Sequence, residues 1–271
     1  MAIAKGIIQM TGSVGNLSFY TIAGSDKVIV RTKGGASKKR IAKAPEFEKL
    51  RKHQSEWGGC VQFSQGMRKA IGDLYRLADY NLSPVWTGMG KNLIKLDTER
   101  ETGARWLLTS QHKEALEGFN FNHNYPLNTV LRAFPHIELD RENLQASVTV
   151  PRINTEVDLL NIQKLPYFRL IICLGTVSDF QSYPESPYKK YSPLASYLHG
   201  ISQSTVGVWH SANDILPEHT LTVKLDENLK KHLTQDVTVL LSLGIEFGKV
   251  GFAGEITEVK HAGCGKIVYC R

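Results

Sequence analysis

Nine histidines, four cysteines and 26 acidic residues supply the reactive side chains of this 271-residue chain, and their spacing gathers few of them into a chemical centre. No two histidines stand four residues apart, the helical spacing that puts both on one metal. Cys264 and Cys270, with His261 nearby, form a conceivable soft-metal set. A dedicated zinc site shows two close pairs of ligands, so these thiols are expected at strand ends, and neither a metal nor a cofactor is expected. The sequence contains no Gly-x-Ser-x-Gly elbow for a nucleophile. Glu99 with Glu101, and Glu255 with Glu258, read as surface or turn charges, because an acid/base pair also needs apolar surroundings that raise one pKa. Gly12-Ser-Val-Gly15 has the spacing that one RNA-binding module uses between helices, but strands are predicted on both sides, so a β-turn is expected. Gly88-Met-Gly-Lys91 imitates the tail of a phosphate loop without its earlier glycine or preceding strand. No catalytic residue emerges, and the chain reads as a protein that is not an enzyme.

Two surfaces remain. Between Lys27 and Lys43 there are seven cations and no acid, so this window alone accounts for the net charge of +7 and the rest of the chain is neutral overall. Its residues Arg31, Lys33, Lys38, Lys39, Arg40 and Lys43, flanked by Phe19 and Tyr20 and followed by Lys49, Arg51 and Lys52, are candidates for binding nucleic acid through phosphates or for docking an acidic partner. A solvated loop is the plain alternative. The second surface is a proline-stiffened loop carrying Phe180, Tyr183, Tyr188, Tyr191 and Tyr197, with Pro184, Pro187, Pro193 and Lys189-Lys190. Such aromatic residues offer contact area to bases, sugars or a protein at low entropic cost. The competing expectation is a loop that folds over its own sheet.

The elements that would carry these surfaces follow from periodicity. An N-terminal β unit spans Gly6–Thr32, with Leu17–Ile22 and Lys27–Arg31 forming a hairpin around Ala23–Asp26 and Gly6–Met10 adding a short strand. Residues 33–43 read as an exposed basic arm. A helix follows Pro45, with Phe47, Leu50, Gln54 and Trp57 on one face, and Gly58-Gly59 is expected to end it. A second helix carries Cys60, Phe63, Met67, Ile71, Leu74 and Leu77 in one stripe, and a third, after Ser83-Pro84, carries Val85, Trp86, Met89, Leu93 and Leu96. Their common partner is expected to be the N-terminal ribbon. Asp97–Asn128, rich in asparagine, reads as a hinge. Strands are then predicted at Leu144–Pro151, Tyr167–Gly175, Thr205–His210, His219–Leu225, Asp236–Phe247, Val250–Val259 and Lys266–Cys270. The fold class is α+β, a β-ribbon packed with helices over 1–128 and an immunoglobulin-like antiparallel β-sandwich over 129–271.

Gly12-Ser-Val-Gly-Asn-Leu-Ser-Phe-Tyr20 with Val30-Arg31 and Lys33-Gly-Gly35, Leu116-Glu-Gly-Phe-Asn-Phe-Asn122 with Pro126-Leu127, Phe168-Arg-Leu170 with Val177-Ser-Asp179, and Gly244-Ile-Glu-Phe247 together resemble a family of uncharacterised bacterial proteins, a domain of unknown function. The resemblance covers nearly the whole chain in the same order. It implies a shared fold and carries over no catalytic residue. With no apolar run near the roughly 18 residues of a membrane span, and a polar, glycine-interrupted start, neither anchoring nor a standard secretion signal is expected. Scattered cysteines in apolar patterns point to reduced thiols in the cytoplasm. The expected function is a non-catalytic cytoplasmic binding or assembly protein with a protein partner or self-association. The alternatives are a nucleic-acid-binding protein using 27–52 and a carbohydrate-binding module using the loop 180–197.

Overall fold

The computed structural model describes residues 11–22, 27–186 and 190–271, and the backbone of 2–4. The expected strand Gly6–Met10, the turn Ala23–Asp26 and loop residues Pro187, Tyr188 and Lys189 lie outside the described residues. The fold class is α+β. The chain forms two compact units, Met1–Arg51 and Lys52–Arg271.

In the first unit, β1 (Ala2–Ala4), β2 (Gly12–Val14), β3 (Leu17–Thr21) and β4 (Val28–Thr32) form an antiparallel sheet in the order β1-β4-β3-β2. The hairpin β3–β4 pairs Phe19 with Val30 and Tyr20 with Ile29. Gly12-Ser-Val-Gly15 makes β2 and its turn, with Gly15 at a φ of 55°. The basic arm contains a short helix, α1 (Lys38–Lys43), where an irregular loop was expected. Ser37 explains it, because its hydroxyl caps the Arg40 N–H at 3.2 Å.

The helix α2 (Glu48–Ala70) runs through Gly58-Gly59 without the break expected there. Gly59 serves a neighbour instead. A Cβ there would stand 2.7 Å from ring atoms of Tyr191, so the glycine admits the ring without stopping the helix. The buried stripe is also rotated from the expected one at the start, with Leu50 and Trp57 exposed and Glu56, Cys60, Phe63 and Met67 buried. A 3-10 turn, Gly72–Leu77, leads on to α3 (Leu82–Ile94), whose Asn81 cap accepts from the Ser83 N–H.

After the short α4 (Leu127–Val130), the chain forms β5 (His136–Asp140), β6 (Gln145–Val150), the short α5 (Thr155–Asp158), and β7 (Tyr167–Ser178). A small ribbon of β8 (Phe180–Ser182) and β9 (Tyr191–Pro193) follows, then β10 (Ile201–Val206), β11 (His210–Ser211), β12 (His219–Lys224), β13 (Val237–Val250), β14 (Ile256–Glu258) and β15 (Cys264–Cys270). The two long apolar runs are partners: β7 and β13 pair antiparallel from Val237 opposite Ser178 to Gly248 opposite Tyr167. β10 and β11 extend the sheet from β7, and β14 and β15 extend it from β13, giving six strands.

Alternation gives each face of this sheet its own core. Phe168, Leu170, Ile172 and Leu174 of β7, with Val239, Leu241, Leu243 and Ile245 of β13, pack against Leu139, Ala146, Val148, Leu221 and Val223 of the three-stranded sheet β12-β6-β5. Ile171, Cys173 and Val177 of β7 and Leu240 of β13 pack against Phe63, Met67, Ile71, Leu74 and Trp86. The helical stripe therefore has the central sheet as its partner, where periodicity pointed to the N-terminal ribbon. The three-stranded sheet shares a core with one face of the six-stranded sheet, and helices cover the other face. Residues 97–128 are knitted into this unit and do not form a hinge, because Leu107 bridges Phe180, Asn120 bridges Lys266, and Phe121 is fully buried. No described helix is long and apolar enough to cross a membrane.

The layers approach closely at Gly175, where an added Cβ would stand 2.7 Å from the carbonyl carbon of Ala70 and overlap its oxygen. Gly175→Ala is expected to cost about 3 kcal/mol or more, because backbone must move. Gly58→Ala, in the interior of α2 with open space around it, is expected to stabilise by about 0.5–1 kcal/mol. Denaturant unfolding of the two variants checks both signs.

Candidate functional site

The six basic candidates all lie in the first unit, and the structure sorts them by what they already hold. Arg31, on β4, lies over the Tyr20 ring at 5.3 Å from its centroid. Lys33 donates to the Gly15 carbonyl at 2.9 Å, closing the turn between β2 and β3. Arg40 places Nε and Nη2 on one oxygen of Glu46 at 3.1 and 2.8 Å. The Glu46 backbone N–H and Arg40 hold that carboxyl below its ordinary value. Arg51 caps the other end of α1 through the carbonyls of Ile41 and Ala44. Lys38, Lys39 and Lys43 are exposed and form no ion pair among the described residues. A short, externally braced helix thus presents three uncommitted ammonium groups.

The aromatic loop is divided. Phe180 is fully buried, edge-on to His199 with centroids 4.8 Å apart, and its backbone pairs with Leu107. Tyr191 is 1% exposed and donates its hydroxyl to the Arg105 carbonyl at 2.8 Å. These two residues belong to the core between helices and sheet and are closed to a ligand. Tyr183 and Tyr197 are exposed, the latter stacked on His232 at 4.6 Å.

The conceivable metal set is not assembled. Cys264 packs in the core beneath the three-stranded sheet and Cys270 in the core beneath the helices, because an irregularity in the β13–β15 register switches the face between them. Burial pushes both thiols up to about 12. No group of three or more His, Cys, Asp or Glu side chains among the described residues is placed to hold a metal. Glu99 is exposed, and Gly88-Met-Gly-Lys91 lies within α3, with Lys91 committed to Glu56 at 2.6 Å.

Buried acids are what the sequence reading missed. Glu56, fully buried on α2, takes Lys91, both nitrogens of the Arg105 fork and the Gly103 N–H. Burial pushes its carboxyl up, but the Arg105, Lys91 and Gly103 hydrogen bonds outweigh it and hold the group at about 2. Glu246 on β13 is 1% exposed between Arg169, its register partner on β7, and Arg76 at 2.6 Å. Glu258 joins these arginines, and Arg169 lies over the Trp209 ring. The signal for this cluster was present as two charges inside otherwise apolar strand runs. Glu56 gave no comparable signal. Asp179, 1% exposed, is held by the Ser110 N–H and hydroxyl, and burial pushes it up to about 6 against those bonds.

Each of these three acids is held by groups from a distant part of the chain, and so braces the fold. No family model matches the chain, and no curated protein or solved structure matches it.

The two shifted acids act in opposite directions with pH. Glu56, lowered from 4.5 to about 2, adds stability above pH 4.5 that is lost as pH falls toward 2. Its share at neutral pH is on the order of 3 kcal/mol. Asp179, raised from 3.8 to about 6, has the reverse sign, so its contribution declines as pH rises through that window. In urea unfolding across pH, Glu56→Gln is expected to lower neutral stability by about 3 kcal/mol, leaving two cations unmatched, and to flatten the acid limb. Asp179→Asn is expected to flatten the decline between pH 4 and 6.

Proposed function

We propose that the protein is a non-catalytic binding or assembly protein of the cytoplasm that associates with a second copy of itself through its first unit. The observation that carries this reading is how little core that unit has. Val28 and Ile29 are its buried residues among those described, while Val14, Leu17, Ile22 and Leu50 are exposed. A small sheet with so few buried side chains gains stability by covering its apolar surface. Val14 lies on β2, an edge of the described sheet, where unpaired backbone groups can template another strand. The cytoplasmic part of the reading draws on four free, buried thiols. The facing sheets support a sandwich reading of 129–271, and its immunoglobulin-like form belongs to the same proposal.

Sedimentation of the full chain at micromolar concentrations is expected to show a dimer or larger species that Val14→Asp with Leu17→Asp converts to monomer. A monomer at every concentration, or association indifferent to both substitutions, would remove the basis of this reading.

A second reading, binding of nucleic acid, is supported by the three uncommitted lysines of α1. Affinity for a short duplex or single strand should then fall steeply with salt. Replacing Lys38, Lys39 and Lys43 by alanine should reduce the slope of log affinity against log salt by about 2–3. Arg40→Ala should change it less, since that guanidinium is spent on Glu46.

A further inference from the structure

A cavity of about 240 Å³ opens within the second unit, between the loop after the 3-10 turn, the 122–125 segment, the 160–165 loop and the 261–263 turn. Val130, Leu165, Phe247 and Ala262 supply apolar lining, while Asp79, Asn124, Tyr125 and His261 supply polar groups and an aromatic ring. Its size is below the roughly 300–1,000 Å³ of drug-sized sites, so it suits a molecule on the order of ten non-hydrogen atoms.

The walls are fixed before any ligand arrives. On one side, the Asp79 carboxylate accepts from the backbone N–H groups of His123 (3.0 Å) and Asn124 (3.1 Å) and from the Asn124 amide (3.2 Å). Tyr80 stacks on His123 with centroids 3.8 Å apart. Behind them, buried Asn122 donates to the Leu77 carbonyl and accepts from the Gly265 N–H. On the other side, Asn161 closes its loop by donating to the Leu165 carbonyl and accepting from the Leu165 N–H, at 2.7 and 3.0 Å. Leu160 is tied to Val130 by a 2.8 Å backbone bond. Three described non-glycine residues have left-handed φ, and two of them, Lys164 (51°) and His261 (60°), belong to loops that form this cavity. Backbone held in that region costs energy and recurs at ligand clamps.

The lining also selects charge. Asp79 is the one acidic residue of the lining, and no lysine or arginine is part of it. Asp79 is solvent-exposed, and an anion would meet its charge with no lysine or arginine of the lining beside it, whereas an ammonium group would find the carboxylate together with the aromatic side chains of Tyr125 and Phe247. The His123 N–H is shared between the two Asp79 oxygens and both Asn124 donors fall on Oδ2, so Oδ1 keeps an acceptor site for another donor.

We propose that this cavity binds a small organic cation, with a primary ammonium group at Asp79 beside Tyr125 and an apolar body over Val130, Leu165 and Phe247. The site lies wholly within the second unit, so it stands or falls separately from self-association through the first.

Calorimetric or NMR titration of the full chain with phenethylamine, against 3-phenylpropionate as the charge-reversed probe, tests it. Phenethylamine is expected to bind saturably with a Kd of about 1 mM or below, and 3-phenylpropionate at least about tenfold more weakly. Asp79→Asn keeps an oxygen for the backbone N–H groups and removes the charge, and it should weaken the amine about tenfold or more. If that variant does not fold, Tyr125→Ala decides, since no hydrogen bond of the walls described above runs through this half-exposed side chain. It should weaken the amine severalfold. Equal affinity for amine and carboxylate, unchanged affinity in the folded Asp79→Asn variant or in Tyr125→Ala, or no saturable binding up to about 10 mM would overturn the proposal.

Discussion

The second unit depends on a direct contact between the end of α2 and the central strand β7, made possible because Gly175 carries no side chain where Ala70 arrives. Once that approach is made, the 3-10 turn that follows lays Leu74 and Leu77 onto the sheet, and Trp86 of α3 closes over them. The opposite face of the same strand supports the three-stranded sheet. β7 and β13 are thus buried on both sides, which is why they are continuous apolar runs and why the few polar residues in them are conspicuous.

Those polar residues are managed by pairing. Glu246 enters the sheet opposite Arg169 and receives Arg76 from the helical layer, so a buried carboxylate ties two layers together. Glu56 does the same between α2, α3 and the 103–105 segment. Buried pairs of this kind contribute less to net stability than their short distances suggest, since each charge has lost its water. Removing one partner is far more costly than the pair is worth. Their effect here is positional, because Arg105 also receives the Tyr191 hydroxyl at its carbonyl and so fixes the start of β9.

The two units offer different kinds of surface. The first has strands and a short capped helix with few buried side chains, and its exposed residues include the cations of α1 and the apolar Val14, Leu17, Ile22 and Leu50, a combination suited to covering by another macromolecule. The second packs apolar side chains into two cores, one on each face of its central sheet, and leaves a small cavity where several loops meet. Several motifs of the sequence fall on the scaffold: the β2–β3 turn, the buried Phe121, and the paired runs around Arg169 and Glu246.

Local pattern sufficed for much of this architecture. The three-and-four spacing from Cys60 to Leu77 determined a buried helical stripe, the apolar runs at Tyr167 and Val237 determined two central strands, and the acid-free window determined where the positive charge lies. What the pattern could not determine was the partner of each face. Periodicity reports how one element presents its side chains along the chain, while the neighbour is chosen by contacts between distant positions, such as the Gly265 N–H on Asn122, 143 residues away. For the same reason Gly59 read as a helix end and proved to be the seat of Tyr191, and Phe180 and Tyr191 read as exposed binding residues and proved to be core. Nothing in the local pattern distinguishes Glu56, and only the fold brings Lys91 and Arg105 to it. The cavity is the extreme case, since its walls come from segments that share no motif and meet only when the sheet is complete.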